Sequence, residues 1–325
     1  MGRMLDRKAL LLLIGVLCIL GNGQAAHVNA PDGYIVQDTI FPLQSGDYVA
    51  GFDRLPNNNF AAFVGNRVVE VTPGGYVSTL YEFNTPVFGS FVKVLDDKIY
   101  FGESSNGTIW RMSLDGTNPE LIGTLENNFD MEFNSLGQAF VSANPGWAGQ
   151  KVFYFDGKSD EIITGLLGYS GPLAFDSADN LIYATAWASG GDSILRFNAD
   201  DVAGAIGPTS LTPADAEILV KPINCPYDMG LDVYGNIFFS SGGAIYRLAD
   251  GAGAPSSFAA VVNPYDYLTT VRYCAADNSI SVLVGGESYG VISTILPVPE
   301  PSSLLGVALG LGLLTRALRK RREMP

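Results

Sequence analysis

From about residue 34 to 296, apolar and polar positions alternate at period two in short runs broken by Gly, Asn, Asp and Pro, a pattern that predicts strands joined by tight turns. The runs recur as a unit. An apolar strand a ends near an Asp or Asn, a polar turn follows, and then come an apolar strand b, a loop, an alternating strand c and an outer strand d. The a–b turn is clearest at 134–138, 176–180, 232–236 and 274–278, with weaker copies beginning at Asp53 and Val94. Its anchors at 53, 94, 134, 176, 232 and 274 lie 41, 40, 42, 56 and 42 residues apart, the period of a four-stranded propeller blade. The long interval marks an insertion at 199–213.

Strand c is the most regular, at 68–71, 109–112, 152–155, 194–197 and 245–248, and its alternation sends every second side chain between blades. Outer strands follow at 77–81, 121–125, 162–166, 216–220 and 258–262. The sixth unit has strands at 269–273, 280–284 and 291–296 and no d strand, while an unpaired apolar run at 34–40 is free to supply one. The prediction is an all-β, six-bladed β-propeller over 34–296, closed by its N-terminal strand so that no sheet edge is left to aggregate. The repeat resembles the NHL and gluconolactonase-like families of six-bladed propellers, with a loose motif in each repeat. A gluconolactonase-like activity would require a divalent ion held by carboxylates and amides at the axis.

The two ends carry a different pattern. Arg3, Arg7 and Lys8 precede an apolar run at 9–20, and Gly23, Ala25 and Ala26 supply small residues, so 1–26 reads as a signal peptide cut after Ala25 or Ala26. At 298–325 the order is Val298, Pro299, Glu300, Pro301, two serines, an apolar stretch at 304–314, and a basic cluster of Arg316, Arg319, Lys320, Arg321 and Arg322. Two prolines around a glutamate keep the peptide extended, and the basic end stays cytoplasmic by the positive-inside rule. The segment 302–318 reads as a hydrophobic helix of about 25 Å, a short span for a bilayer, so that Arg316 must snorkel. This tail resembles the PEP-CTERM sorting signal. The resemblance implies cutting near Pro299, Glu300 and Pro301 by an exosortase-type enzyme, transient inner-membrane anchoring, and delivery to the surface or exterior of a Gram-negative cell.

Composition narrows the partners. Residues 27–298 hold 11 Lys and Arg against 30 Asp and Glu, an acidic excess that repels phosphate backbones and excludes nucleic acid as the expected partner. Cys18 falls in the leader, so Cys225 and Cys274 are the exported cysteines. They either form one bridge or stay separate thiols, and separate thiols are the expectation. The only histidine, His27, lies outside the repeats, which removes Ser-His-Asp and Cys-His nucleophiles and multi-histidine metal sites.

In a propeller the d–a and b–c loops share one face. That face collects Glu103, Asn144, Trp147, Trp187, Asp192 and Glu287, with Asp130 and Asp228 at matching positions on inner strands of blades three and five. Oxygen groups of this kind suit Ca²⁺, with Asp130 and Asp228 as the metal candidates. Loop capping by those two residues is the competing reading. Trp147 and Trp187 suit the faces of sugars, against the commoner role of packing their own loops. The expectation is a non-enzymatic surface or matrix propeller that binds extracellular polysaccharide, metal or a partner protein. The alternative is a divalent-metal-dependent lactonase or hydrolase of the six-bladed class.

Overall fold

The computed structural model describes residues 26–298 apart from Ser170 and Ala252. The predicted leader up to residue 25, and the tail with Pro299, Glu300, Pro301 and its hydrophobic helix, lie outside the described residues. Among the described residues no helix is long and apolar enough to cross a membrane.

Two strands, β1 (Val28–Asn29) and β2 (Tyr34–Pro42), precede the first blade. Blade 1 is β3 (Val49–Arg54), β4 (Phe60–Val64), β5 (Arg67–Val71) and β6 (Val77–Glu82); blade 2 is β7 (Gly89–Leu95), β8 (Lys98–Glu103), β9 (Thr108–Ser113) and β10 (Glu120–Thr124). Blade 3 is β11 (Asn128–Phe133), β12 (Ala139–Ala143), β13 (Gln150–Phe155) and β14 (Ser159–Leu166). Blade 4 is β15 (Leu173–Phe175), β16 (Leu181–Ala184), β17 (Asp192–Phe197) and β18 (Glu217–Ile223). Blade 5 is β19 (Met229–Leu231), β20 (Ile237–Ser241), β21 (Ala244–Leu248) and β22 (Ser256–Val261), extended at its edge by β1. Blade 6 is β23 (Tyr267–Cys274), β24 (Ser279–Gly285) and β25 (Tyr289–Pro297), with β2 as its outer strand. The structure is the six-bladed propeller that the repeats predict.

The a–b turns show why the repeat was visible. Asn134, Asp176 and Asp232 each accept, through one side-chain oxygen, the backbone N–H groups two and four residues on. Their other side-chain atom bonds the amide at the end of the motif, Gln138, Asn180 or Asn236. An Asx-type turn of this kind offers the backbone local partners and so ends strand a at a defined residue. The insertion folds as helix α1 (Ala199–Ala205), capped by Asn198 and burying Val202 and Ala205 against the seam of blades 3 and 4.

Six apolar clusters fill the six seams between neighbouring blades. The seam between blades 6 and 1 depends on β2. That strand pairs with β25 continuously from Tyr34 with Pro297 to Pro42 with Tyr289, without a register shift, whereas the c–d pairs of blades 1 to 5 each carry at least one. Phe41 is buried in this seam against Gly290, where any Cβ would lie 2.2 Å from the Phe41 ring. Phe41→Ala should therefore lower unfolding free energy by about 3–5 kcal/mol in urea titrations. Gly290→Ala should destabilise through overlap with the same ring.

Candidate functional site

The face built from d–a and b–c loops opens into a cavity of about 570 Å³ over the propeller axis. Its walls are aromatic: Tyr48 and Phe88 from blades 1 and 2, Phe129 in β11, and Trp147, Tyr169, Trp187 and Tyr227 around blades 3 to 5. Three aromatic pairs stand around the rim. Tyr48 and Phe88 have centroids 5.9 Å apart, Trp147 and Tyr169 6.5 Å, and Trp187 and Tyr227 5.6 Å. In the last two pairs a b–c loop tryptophan meets a tyrosine of the next d–a loop, so each pair spans a blade boundary.

Both tryptophans stay exposed, Trp147 at 65% and Trp187 at 49%, and both have left-handed backbones, with φ of 55° and 59°. A non-glycine residue there costs of order 1–3 kcal/mol and persists only when its surroundings over-determine it. Asn144 and Asp192 provide that constraint. Asn144 accepts from Gly149 N at 3.0 Å and donates to the Tyr169 carbonyl at 3.3 Å. Asp192 accepts from Ala188 N and, with its second oxygen, from Cys225 N, both at 2.7 Å. Glu103 is fully buried and accepts from Asn106 N, Thr108 N and the Thr108 hydroxyl. These three polar candidates are struts that hold the loops, and the tryptophans are the groups presented. Glu287 is exposed in the b–c loop of blade 6 and is not part of the cavity wall.

The floor is charged. Asp130, Asp228 and Arg272 line it, and Arg272 also lines a smaller cavity of about 260 Å³ that opens on the opposite face beside Asp53, Lys93 and Glu132. Lys93, only 3% exposed, lies 2.5 Å from Glu132 and 3.3 Å from Asp130. Arg272 donates to Asp228 at 2.6 Å.

Asp130 and Asp228 also join blades. One oxygen of Asp130 accepts from Met131 N and the other from Leu173 N of blade 4; in Asp228 the partners are Met229 N and Val271 N of blade 6. Asp53 does the same between blades 1 and 2, accepting from Arg54 N and Val94 N. Alternate blades thus carry an inner-strand aspartate clamped to the next blade.

Burial pushes Asp228 up to about 6, with Asp130 adding to the shift and Arg272 and Lys93 opposing it. Burial raises Asp53 as well, against the pull of Arg272. For Lys93, burial and Arg272 act downward, but Asp130, Glu132 and Asp228 together leave it above its ordinary value. Tyr48 is pushed up to about 12, chiefly by burial, and its hydroxyl bonds the Val87 carbonyl.

These residues do not fit a calcium site as they stand. Ca²⁺ takes about six to eight oxygens, whereas every oxygen of Asp130 and Asp228 accepts a backbone N–H and the pair already has Lys93 and Arg272 as counter-ions. Among the described residues no group of three His, Cys, Asp or Glu side chains could hold a metal ion. Cys225 and Cys274 are separate thiols, the first in the loop before β19 on the cavity face and the second ending β23 at the opposite face. Burial and the Asp192 charge push the Cys225 thiol up to about 11.

The sequence missed Tyr48, Phe88, Tyr169, Tyr227, Lys93 and Arg272. The first four sit in or beside d–a connections, and the same face rule that selected the tryptophans reaches them. Lys93 and Arg272 give no such signal, because a cation in a short strand reads as solvent-facing.

No protein-family model matches the sequence, and no curated protein matches it significantly. Solved structures do. A gluconolactonase from Xanthomonas campestris aligns with a TM-score of 0.60 at 15% identity, over 78% of this chain and 88% of its own. The PQQ-bound aldose sugar dehydrogenase of Streptomyces coelicolor aligns at 0.57 and 15% identity, over 82% and 100%. An auxiliary nutrient binding protein from Bacteroides thetaiotaomicron aligns at 0.58 and 11%, over 81% and 76%. Likeness at these identities shows the shared propeller fold.

The raised position of Asp228 sets a pH dependence. A carboxyl that titrates higher when folded than its unfolded value near 3.9 contributes stability that is fully present below about pH 4 and is lost as pH rises through about 6. Wild type should therefore lose stability between pH 4 and 7 more steeply than Asp228→Asn, although the variant is weaker throughout. Denaturant titrations at both pH values measure the difference.

Proposed function

We propose that this chain is an exported propeller enzyme whose axial cavity takes a small, neutral, cyclic, sugar-derived substrate, with sugar lactones the first class to test. The observation that carries the reading is the aromatic-walled cavity closing on Asp130, Asp228 and Arg272. Ring faces of sugars pack on aromatic planes, and a few polar groups at depth fix orientation. Two propellers of the same fold, named gluconolactonase and aldose sugar dehydrogenase, support an enzyme over a purely structural protein.

Asp228 is the candidate proton carrier, because its pKa of about 6 lies near neutrality. In lactone hydrolysis it would take a proton from the attacking water as the carbon–oxygen bond forms. It would return that proton to the ring oxygen as the ester bond breaks, giving the hydroxy acid. Arg272 beside it would stabilise the oxyanion. Neither step uses a metal, so activity should survive chelators.

A second reading, a non-enzymatic binding propeller for extracellular polysaccharide, metal or a surface protein, draws on the engagement of both oxygens of each aspartate. The neighbour named as a nutrient binding protein supports it too. Calorimetry with neutral sugars and a turnover screen of lactones and esters separate the two. Trp147→Ala and Trp187→Ala should each weaken binding about tenfold or more with little change in melting temperature. Turnover should rise through pH 6 and vanish in Asp228→Asn while binding remains. Binding without turnover across the screen would leave the second reading standing.

Export and sorting belong to the same proposal, supported by the leader pattern and by Pro299, Glu300 and Pro301. β25 ends at Pro297 on the face opposite the aromatic cavity. A membrane tail beginning there would point the cavity outward until an exosortase-type enzyme released the propeller. Cell fractionation of wild type and of Glu300→Ala should show the variant retained in the inner membrane.

A further inference from the structure

We infer that Asp38 is the counter-ion of the α-ammonium created when the leader is removed, so that processing tightens the closure of the ring; this rests on the export reading above. The main-chain N of His27 donates to Asp38 Oδ2 at 2.8 Å, and Asp38 Oδ1 accepts from the Ser293 hydroxyl at 2.7 Å. Among the described residues no Lys, Arg or His side chain makes an ion pair with Asp38, a half-buried carboxylate in the middle of β2. In a chain so acidic, such a group is a vacancy for a cation.

The segment leading to it is firmly seated. The His27 carbonyl accepts from Val262 N at 2.9 Å, its ring lies 5.1 Å from Tyr289 with Nδ1 3.7 Å from Asp266, and Val28 is fully buried. The small residues before it permit cuts after Ala25 or Ala26. A cut after Ala26 converts the N–H facing Asp38 into an ammonium, and a cut after Ala25 places the ammonium one residue away, within ~4 Å along the chain. Either change turns a hydrogen bond between a neutral donor and the carboxylate into an ion pair between opposite charges, which is the stronger contact. The contact links β1, on the edge of blade 5, to β2, the strand that closes blade 6, so an uncut leader leaves that latch weaker while the chain crosses the membrane.

The test is a two-by-two cycle in detergent on otherwise full chains. One axis compares chains beginning at residue 26 or 27 with a chain that keeps native residues 21–25. The other compares Asp38 with Asp38→Asn. The free α-amine should raise the melting midpoint by ~2 °C when Asp38 is present and have no effect in Asp38→Asn. In Asp266→Asn, which removes the other nearby carboxylate, the rise should persist. No rise, or the same rise in Asp38→Asn, overturns the proposal. N-terminal sequencing of the exported protein should begin at residue 26 or 27. A start further along would overturn the pairing but leave export intact, whereas a retained leader would sink the export reading itself.

Discussion

The ring must close, and one strand closes it. A propeller with three strands in its last blade has an open seam and an exposed sheet edge, which is an invitation to pair with another chain. β2 fills that edge from the far end of the sequence, placing Phe41 into the seam between blades 6 and 1. The axial cavity, which draws residues from all six blades, exists only after that seam is shut. Its integrity is therefore a property of the whole ring and not of any single repeat.

Within the ring two materials are sorted by depth. Near the axis, the buried Asp130 and Asp228 of blades 3 and 5 and the half-buried Asp53 of blade 1 bridge to the next blade through backbone N–H groups. Lys93 and Arg272 supply the opposite charge there. In such a low-dielectric setting each carboxylate would be costly alone, and hydrogen bonds with ion pairs offset that cost without removing it, as the raised Asp228 shows. Toward the cavity mouth the walls become aromatic, and polar side chains such as Asn144 and Asp192 turn backward to brace the loops. A site of this construction presents flat apolar surfaces over a charged floor, an arrangement that suits a ring-shaped neutral ligand better than a bound cation.

Much of the fold was legible because local chemistry repeats. Asn134, Asp176 and Asp232 each terminate a strand through their own side-chain bonds, so the turn motif is written in consecutive residues and needs no long-range contact. Strand c is regular because its two faces pack on different neighbours, Val152 toward blade 4 and Phe153 toward blade 2. The need for β2 followed from counting strands. At the site, Trp147 and Trp187 were legible from the loop-face rule, while the purpose of Glu103, Asn144 and Asp192 was not. A carboxylate in a loop reads the same whether it faces a ligand or its own backbone.

By itself, then, the sequence determined the blade period, the closing strand, the acidic balance and the face on which loops gather, since these depend on neighbours along the chain. Only the tertiary structure decided that Asp130 and Asp228 spend their oxygens on adjacent blades. It also brought Tyr169 and Tyr227 to stand against the tryptophans, and drew the buried Lys93 and the half-buried Arg272 to the axis. Each of those facts joins residues from different blades, and no period along the chain encodes which side chains meet across a ring.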